Sequence, residues 1–337
     1  MIKVAHVTTR GHSQESAQVL SVLTGGDDQW VAFRGARLGN WLAARGITHG
    51  WCFVGDPHWL VEEIRGRGAS VILAEAQSLM PHILATLATA LPHVRFVTLL
   101  HGAPSWCASS APAQTYDAIR LARDLHNVFV GVVSTPDAMA WLPGAKVVHL
   151  PNPIETPDGL HRSRVRGASL CVSLIARPSP VKNWGGMLAA LGLLSCRRDV
   201  TAVVAGRGHT PNHQAHLGYL RELHIDALTL DFGDWEATLQ TVAEKVDVGL
   251  ACGYSDALNL VAAEHCLLGI PVVGSPVLDW LPEPWRVSPQ DPVGMADAIE
   301  ALADDGAAGD IGRELVCAMV RENETTLLKN LHSLLRG

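Results

Sequence analysis

The chain alternates between short apolar runs of strand length and longer stretches whose apolar positions recur with the helical period. Such alternation is typical of a parallel sheet covered by helices. Residues 9–30 fit the pattern least, and we expect an extra hairpin there. In the first half we predict strands at Val4–Thr8, Gly50–Val54, Ser70–Ala74, Val94–Leu100, Val128–Val133 and Val147–Leu150, and helices that include Phe33–Arg45, His82–Leu91 and Ala118–Leu125.

Residues 151–167, PNPIETPDGLHRSRVRG, interrupt the alternation with three prolines and two glycines, which is typical of a linker. The alternation resumes beyond them. The pattern predicts an α/β protein with two Rossmann-like doubly wound domains, which face each other across a cleft at the carboxyl ends of their strands. We expect an N-terminal domain over 1–152, a linker over 153–167, a C-terminal domain over 168–318, and a C-terminal helix over 319–337 that packs back on the N-terminal domain. The strands predicted in the second half are Leu170–Ile175, Val200–Ala205, Thr229–Phe232, Val246–Ala251 and Ile270–Gly274.

Composition narrows the class of partner. The net charge of -7 offers no overall attraction to nucleic-acid phosphate or to anionic lipid, which favours a small partner. No run of eighteen apolar residues occurs, and the first residues lack the features of a signal peptide, so we expect no membrane span. The seven cysteines are odd in number and never spaced C-x-x-C, which indicates a reducing cytoplasm with the thiols as small core residues.

Two cations stand five residues apart in the loop that follows the strand ending at Ile175. Arg177 and Lys182 precede a helix that we expect to begin near Trp184. Arginine can donate to two oxygens at once and lysine acts as a point charge, so this pair suits a diphosphate. A solvated loop with charged ends is the alternative interpretation.

The next strand runs into a glycine turn at Gly206, which permits close approach of a ligand or merely a tight turn. The histidines that follow, His209, His213 and His216, have spacings that would place them on one helical face. No carboxylate or cysteine joins them and Pro211 lies among them. We therefore interpret them as exposed histidines and predict no metal site.

The stretch YSDALNLVAAEHCLLGIPVVG, residues 254–274, holds Asp256 and Glu264 among apolar neighbours. A charge buried without a partner costs several kcal/mol, so each carboxylate needs a polar partner, solvent or a ligand. We predict a helix from about Asn259 to Leu268, ended by Gly269. The amino end of that helix offers N–H groups to a phosphate, and the two carboxylates can accept hydrogen bonds from sugar hydroxyls on either side. A nucleotide sugar has this order of groups.

At these residues the chain resembles a known family. SDALNLVAAEHCLLGIPVVGS is similar to the acidic-x7-Glu segment of retaining glycosyltransferases with the GT-B fold, the glycogen-synthase-like or family 4 group. SLIARPSPVKNWGGMLAAL looks like the Gly-Arg…Lys-Gly loop of that family, VVAGRG like its next glycine turn, and PNPI like the segment that ends its first domain. The match covers most of residues 146–337, whereas over 1–145 it rests on architecture alone. The chain departs from the family at Asp256, where glutamate is usual, and at Ala251-Cys252, where Pro-Ser is usual.

The resemblance implies a role for each matching residue. Arg177 and Lys182 would hold the donor diphosphate and stabilise the charge that grows on it. Asp256 would orient the transferred sugar, with His101 beside that sugar, and Glu264 would accept hydrogen bonds from the ribose hydroxyls. The remaining donor-binding positions that the resemblance implies are the Gly206 turn, the phosphate-facing backbone of Leu258, Asn259, Leu260 and Val261, and the base-side residues from Phe232 to Trp235.

The implied reaction is a retaining transfer of a sugar from a nucleotide-diphosphate sugar, a UDP-sugar first among the candidates, to a hydroxyl acceptor. No cofactor is expected, because in this family the cations stand where other glycosyltransferases use a divalent metal. A glycan, a small molecule and a modified DNA base remain open as acceptors. The basic run His161–Arg166 would touch the phosphates of a nucleic acid, although we favour a solvated face. A sugar-nucleotide epimerase of the same fold and a non-catalytic nucleotide-binding scaffold are the alternatives.

Overall fold

The computed structural model describes residues 18–23, 38, 41–53, 56–75, 81–100, 112–133, 142, 144–154, 159–160, 162, 167–176, 180–205, 211–230, 235–256 and 258–336. The chain divides into two compact units. One, the C-terminal unit, is Ile154–Arg321. The other, the N-terminal unit, combines the described residues as far as Pro153 with those from Glu322 onward.

The N-terminal unit is built on a sheet whose six described strands are all parallel, in the order β2-β1-β3-β4-β5-β6. Its strands are β1 (Val19–Leu23), β2 (His49–Phe53), β3 (Val71–Glu75), β4 (Arg95–Leu100), β5 (Val128–Val132) and β6 (Val147–His149). Its helices are α1 (Pro57–Arg67), α2 (Pro81–Ala90) and α3 (Pro112–Asp124).

Strand β1 corrects our expectation of a hairpin within residues 9–30. It pairs in parallel with β2 on one side and with β3 on the other, so residues 19–23 lie inside the sheet. Val19 and Leu20 are both fully buried, and they belong to the clusters on opposite faces. The predicted strand Val4–Thr8 lies outside the described residues.

Helices cover both faces of this sheet. On one face the side chains of α1, α2 and α3 pack on alternate residues of β3, β4 and β5. On the other face Leu327, Leu331 and Leu334 pack against Val71 and Val97. These leucines belong to α9 (Ala308–Arg336), which begins well before the predicted residue 319.

The C-terminal unit contains a second parallel sheet, in the order β11-β10-β7-β8-β9. Strands β7 and β8 have the predicted bounds. Strand β9 begins earlier than predicted, because it is an edge strand with largely exposed residues and therefore lacks a continuous apolar run. The elements of this unit are β7 (Leu170–Ile175), α4 (Trp184–Ser195), β8 (Val200–Ala205), α5 (Pro211–Glu222), β9 (Asp226–Leu230), α6 (Trp235–Lys245), β10 (Val248–Ala251), α7 (Leu260–Leu267), β11 (Val272–Gly274) and α8 (Pro292–Asp304).

The strand order of the C-terminal unit creates a switch point between β7 and β10. The chain proceeds from β7 to β8 and β9 on one side, then returns to add β10 and β11 on the other. Val172 and Leu174 face the cluster that contains α4 and α8, whereas Cys171 faces the cluster that contains α6. Loops that leave neighbouring strands toward opposite faces open a crevice at the carboxyl edge, where such sheets bind ligands. None of the described helices has the length and apolar character of a membrane span.

Candidate functional site

Two charged residues singled out in the second half of the sequence, Lys182 and Asp256, meet at this switch point. Strands β7 and β10 are neighbours, with Ser173 opposite Gly249. The segments that follow the two strands line one cavity of about 360 Å³, a volume that includes its open mouth. Lys182 from the first segment and Asp256 from the second both line that cavity.

Lys182 and Asp256 form an ion pair at the cavity. The Lys182 Nζ donates a hydrogen bond of 2.6 Å to Asp256 Oδ2, and the side chains are 27% and 14% exposed. Lys182 ends a single 3₁₀ turn over Pro180–Lys182, directly before α4. The ion pair explains how an aspartate is tolerated in this apolar stretch, because Asp256 has a cationic partner and partial access to solvent.

The two segments are held together by their backbones as well. The N–H of Tyr254 donates to the carbonyl of Val181 at 2.8 Å. Gly253, the residue before Tyr254, faces the other segment closely. A Cβ added to it would stand 3.0 Å from the Val181 oxygen and 3.5 Å from the Cα of Lys182. A side chain at this position would require a shift of a few tenths of an ångström, so glycine permits the close approach of the two segments.

Asparagines cap both helices that begin at the site. Asn183 and Asn259 have left-handed backbones, with φ of 54° and 51°. Asn183 Oδ1 accepts from the N–H of Gly186 at 3.3 Å, and Asn259 Oδ1 accepts from the N–H of Ala262 at 3.1 Å. Asparagine suits both roles, because it tolerates this conformation and is a strong N-cap. Sequence analysis missed the side-chain role of both residues, although an asparagine just before a helical run is a recognisable signal.

The second carboxylate, Glu264, lies inside α7 and is 3% exposed. The indole Nε1–H of Trp235, the first residue of α6, donates to Glu264 Oε1 at 3.1 Å. The structure therefore brings together a residue expected beside the ribose and one expected beside the base. The helix itself runs from Leu260 to Leu267, and Gly269 follows with a φ of 79°, in agreement with the predicted bounds.

A buried histidine that sequence analysis did not single out lies beside Glu264. His265 is 1% exposed and its Nδ1 is 2.7 Å from the carbonyl of Val261. A carbonyl only accepts, so Nδ1 carries the hydrogen and Nε2 accepts from the hydroxyl of Ser173 at 2.7 Å. Burial lowers the pKa of His265 to about 4, which keeps the ring neutral near pH 7. Ser173 and His265 both line the cavity.

The other predicted positions divide into two groups. Leu258 is buried and its carbonyl accepts from the indole Nε1–H of Trp280 at 3.0 Å, a contact absent from the sequence analysis. Val261 lines the cavity, and Leu260 is the first residue of α7. The predicted positions Arg177, Gly206, Phe232 and His101 lie outside the described residues.

The histidines of α5 are not the exposed residues that we expected. His213 is fully buried, with its ring edge-on to Trp184 at 6.2 Å between centroids. The ring of His216 stacks on the same indole at 4.8 Å, and burial lowers the pKa of His216. The error arose because aromatic packing of this kind depends on α4, which is distant in sequence. Among the described residues, no three histidine, cysteine or acidic side chains are grouped as metal ligands would be.

Two doubly wound α/β units of this kind define the GT-B fold, as expected from the sequence. No protein-family model matches the chain, and no curated protein matches it. Solved structures do match, at identities that establish the fold alone.

Three of the matching structures cover almost all of the chain. Sucrose-phosphate synthase from Thermosynechococcus elongatus has a TM-score of 0.72 and 16% identity, over 94% of this chain and 99% of that one. HepE from Anabaena in complex with UDP and glucose has a TM-score of 0.69 and 15% identity, over 94% of this chain and 99% of that one. A glycosyltransferase from Rickettsia africae has a TM-score of 0.63 and 14% identity, over 95% of this chain and 96% of that one.

Proposed function

We propose that the protein is a retaining, metal-independent glycosyltransferase that moves a sugar from a nucleotide-diphosphate sugar to a hydroxyl acceptor. The observation that carries this proposal is the ion pair of Lys182 with Asp256 in the cavity at the switch point of the C-terminal sheet, a cavity that is also lined by α7, the helix that contains the buried Glu264. Such a site offers a cation to a diphosphate and a carboxylate to a sugar, and the buried Glu264 lies in the helix whose first turn lines the cavity.

Lys182 binds the donor diphosphate in this proposal. An ammonium has three N–H donors, so Lys182 can donate to Asp256 and still donate to phosphate oxygens. As the glycosidic bond breaks, negative charge grows on the leaving diphosphate, and a fixed cation stabilises that charge more than it stabilises the ground state. We assign Arg177 to the same task, with the Gly206 turn and the backbone from Leu258 to Val261 beside the phosphates.

The two carboxylates bind the two sugars. Asp256 accepts hydrogen bonds from hydroxyls of the transferred sugar, since a carboxylate can accept several while it pairs with Lys182. Glu264 accepts from the ribose hydroxyls, and its contact with the Trp235 indole orients the carboxylate. We expect Phe232 beside the base and His101 beside the donor sugar.

A UDP-sugar is the first candidate for the donor. The solved structures of HepE hold UDP with glucose and UDP-glucose, and their likeness to this chain in fold supports the choice. We expect no cofactor and a cytoplasmic location. The acceptor hydroxyl belongs to a glycan, a small molecule or a modified DNA base.

The donor site is tested by calorimetric titration of UDP, GDP, ADP and TDP, with and without EDTA. We expect one nucleotide to bind wild type tightly and independently of EDTA, and Lys182→Ala to weaken that binding by about 10-fold to 100-fold, as loss of a hydrogen bond to a charged group does. The matched control is Lys245→Ala, which removes an exposed lysine at the end of α6, near the amino end of β10. No binding to wild type would contradict the proposal.

The reaction is tested with the sugar donors of the nucleotide so selected, and products are identified so that transfer is separated from epimerisation. Lys182→Ala and Glu264→Ala should each abolish transfer while the circular-dichroism spectrum stays that of wild type. Full turnover in both variants would refute the assigned site. Conversion of the donor to its epimer without transfer would favour the isomerase instead.

A further inference from the structure

Asn183 joins three segments of the C-terminal unit through its side chain, which is 6% exposed. Oδ1 accepts from the N–H of Gly186 in α4 at 3.3 Å. Nδ2 donates to the carbonyl of Cys252, after β10, at 3.0 Å and to the carbonyl of Pro289, before α8, at 2.7 Å. Both amide hydrogens thus have carbonyl acceptors, and the reversed amide would point its oxygen at two other oxygens.

These contacts determine where the neighbouring Lys182 stands. The Asn183 side chain binds the carbonyl of Cys252, and on the other side of Lys182 the carbonyl of Val181 binds the N–H of Tyr254. The lysine backbone is therefore held on both sides against the segment that carries its ion-pair partner. A lysine side chain has many rotamers, so a fixed backbone limits the positions that Nζ can reach to those near the cavity, where Asp256 binds it.

We propose that Asn183 is a positioning residue for Lys182, and that its side chain determines how strongly the site binds the second phosphate of a nucleoside diphosphate. This inference rests on the proposed function and concerns the same site. The left-handed backbone of Asn183 suits glycine, which the resembled family has after its lysine, but glycine cannot form the three side-chain hydrogen bonds. We call these three hydrogen bonds of the Asn183 side chain the clamp; a glycine at this position would lack it.

The experiment compares UDP with UMP, since their ratio of dissociation constants isolates the contribution of the second phosphate. Asn183→Gly keeps the backbone conformation and removes the clamp. Asn183→Asp keeps the size and the capping oxygen but places a carboxylate oxygen against two carbonyls. We expect the dissociation constant of UMP divided by that of UDP, both measured by calorimetry, to fall about tenfold or more in both variants. A tenfold fall is a loss of about 1.4 kcal/mol from the binding free energy of the second phosphate.

The matched control is Asn127→Asp in the N-terminal unit. Asn127 is 5% exposed, precedes β5, and donates through Nδ2 to the carbonyls of Ala88, Leu91 and Val94 at 3.0, 3.2 and 3.0 Å. The same substitution there should lower the melting temperature and leave the UMP to UDP ratio unchanged. A merely structural role of Asn183 would produce this control pattern and would overturn the inference.

A double-mutant cycle tests whether Asn183 acts through Lys182. If it does, the ratio in Lys182→Ala/Asn183→Gly equals the ratio in Lys182→Ala alone. Additive losses in the double variant would overturn the inference, as would an unchanged ratio in Asn183→Gly. If wild type binds UDP but the losses are additive or the ratio is unchanged in Asn183→Gly, only the role of Asn183 is refuted. A wild type that binds no nucleotide refutes the proposed function as well.

Discussion

At the candidate site, backbone conformation allows short side chains to form the contacts that hold the site together. Asp256 is one methylene shorter than the glutamate usual in the resembled family, yet it reaches Lys182 at 2.6 Å, because Gly253 allows the two segments to approach. Asn183 and Asn259 supply the left-handed backbone and the helix cap in one residue type. The sequence showed which residue types lie at the site, but it did not show the ion pair or the helix-capping hydrogen bonds.

The buried His265 gives a prediction on stability at acid pH. Its pKa lies near 4 in the folded chain, below the ordinary 6.5. Between those values the unfolded chain binds a proton that the folded chain does not, so the free energy of unfolding falls as pH is lowered through this window. The contribution of His265 to that fall reaches about 3 kcal/mol near pH 4.

Urea denaturation at pH 7, 6, 5 and 4.5 measures this effect as a difference between wild type and His265→Gln. Glutamine can retain both hydrogen bonds but does not titrate, so wild type should lose stability relative to this variant as pH falls. Parallel curves for wild type and variant would contradict the prediction. His332→Gln, an exposed position in α9, is the control.

At the scale of elements, the sequence pattern was most accurate where a strand is apolar and central. Strands β7 and β8 have the predicted bounds, since each is a continuous buried run. Strand β9 begins earlier than predicted because it is an exposed edge strand, and β1 lies where we had expected a hairpin. We expected the C-terminal helix to begin at residue 319, whereas α9 already begins at Ala308.

The end of α9 should be necessary for the stability of the N-terminal unit. Leu331 is fully buried between α9 and the sheet, and the ion pair of Arg45 with Glu324 and the bond of Arg95 to the Leu334 carbonyl attach the same segment. We expect Leu331→Ala to lower the free energy of unfolding by about 2–5 kcal/mol, since it leaves a cavity.

Chemical denaturation measures that loss. Ser333→Ala, an exposed substitution in the same helix, should change the free energy of unfolding by less than about 0.5 kcal/mol. Equal effects of the two substitutions would show that α9 does not contribute to this core.

For the whole molecule, charge is the property that separates the remaining acceptor classes. The net charge is -7, and Arg162, the one residue of the basic run that the structure describes, pairs with the buried Asp247 at 2.9 Å. Asp247 in turn accepts from the N–H of Cys171 at 2.9 Å. Arg162 thus takes part in an internal contact that ties the linker to the C-terminal sheet.

We therefore expect duplex DNA to bind more weakly than about 10⁻⁴ M at physiological salt, below the usual range of non-specific DNA-binding proteins. Fluorescence anisotropy of a labelled duplex at 50, 100 and 200 mM salt measures this. Tight binding with a steep salt dependence would indicate phosphate contacts and would make a modified DNA base the leading acceptor.

The sequence by itself determined the class of fold, the linker and the residue types at the site. These follow from local properties: the period of apolar positions, the turn chemistry of proline and glycine, and the spacing of charges within one loop. Only the tertiary structure decided which residues meet. Lys182 and Asp256 are 74 positions apart and Asn183 and Cys252 are 69 apart, and these pairs touch because β10 inserts beside β7. Strand order arises from pairing between distant segments, which no local pattern encodes.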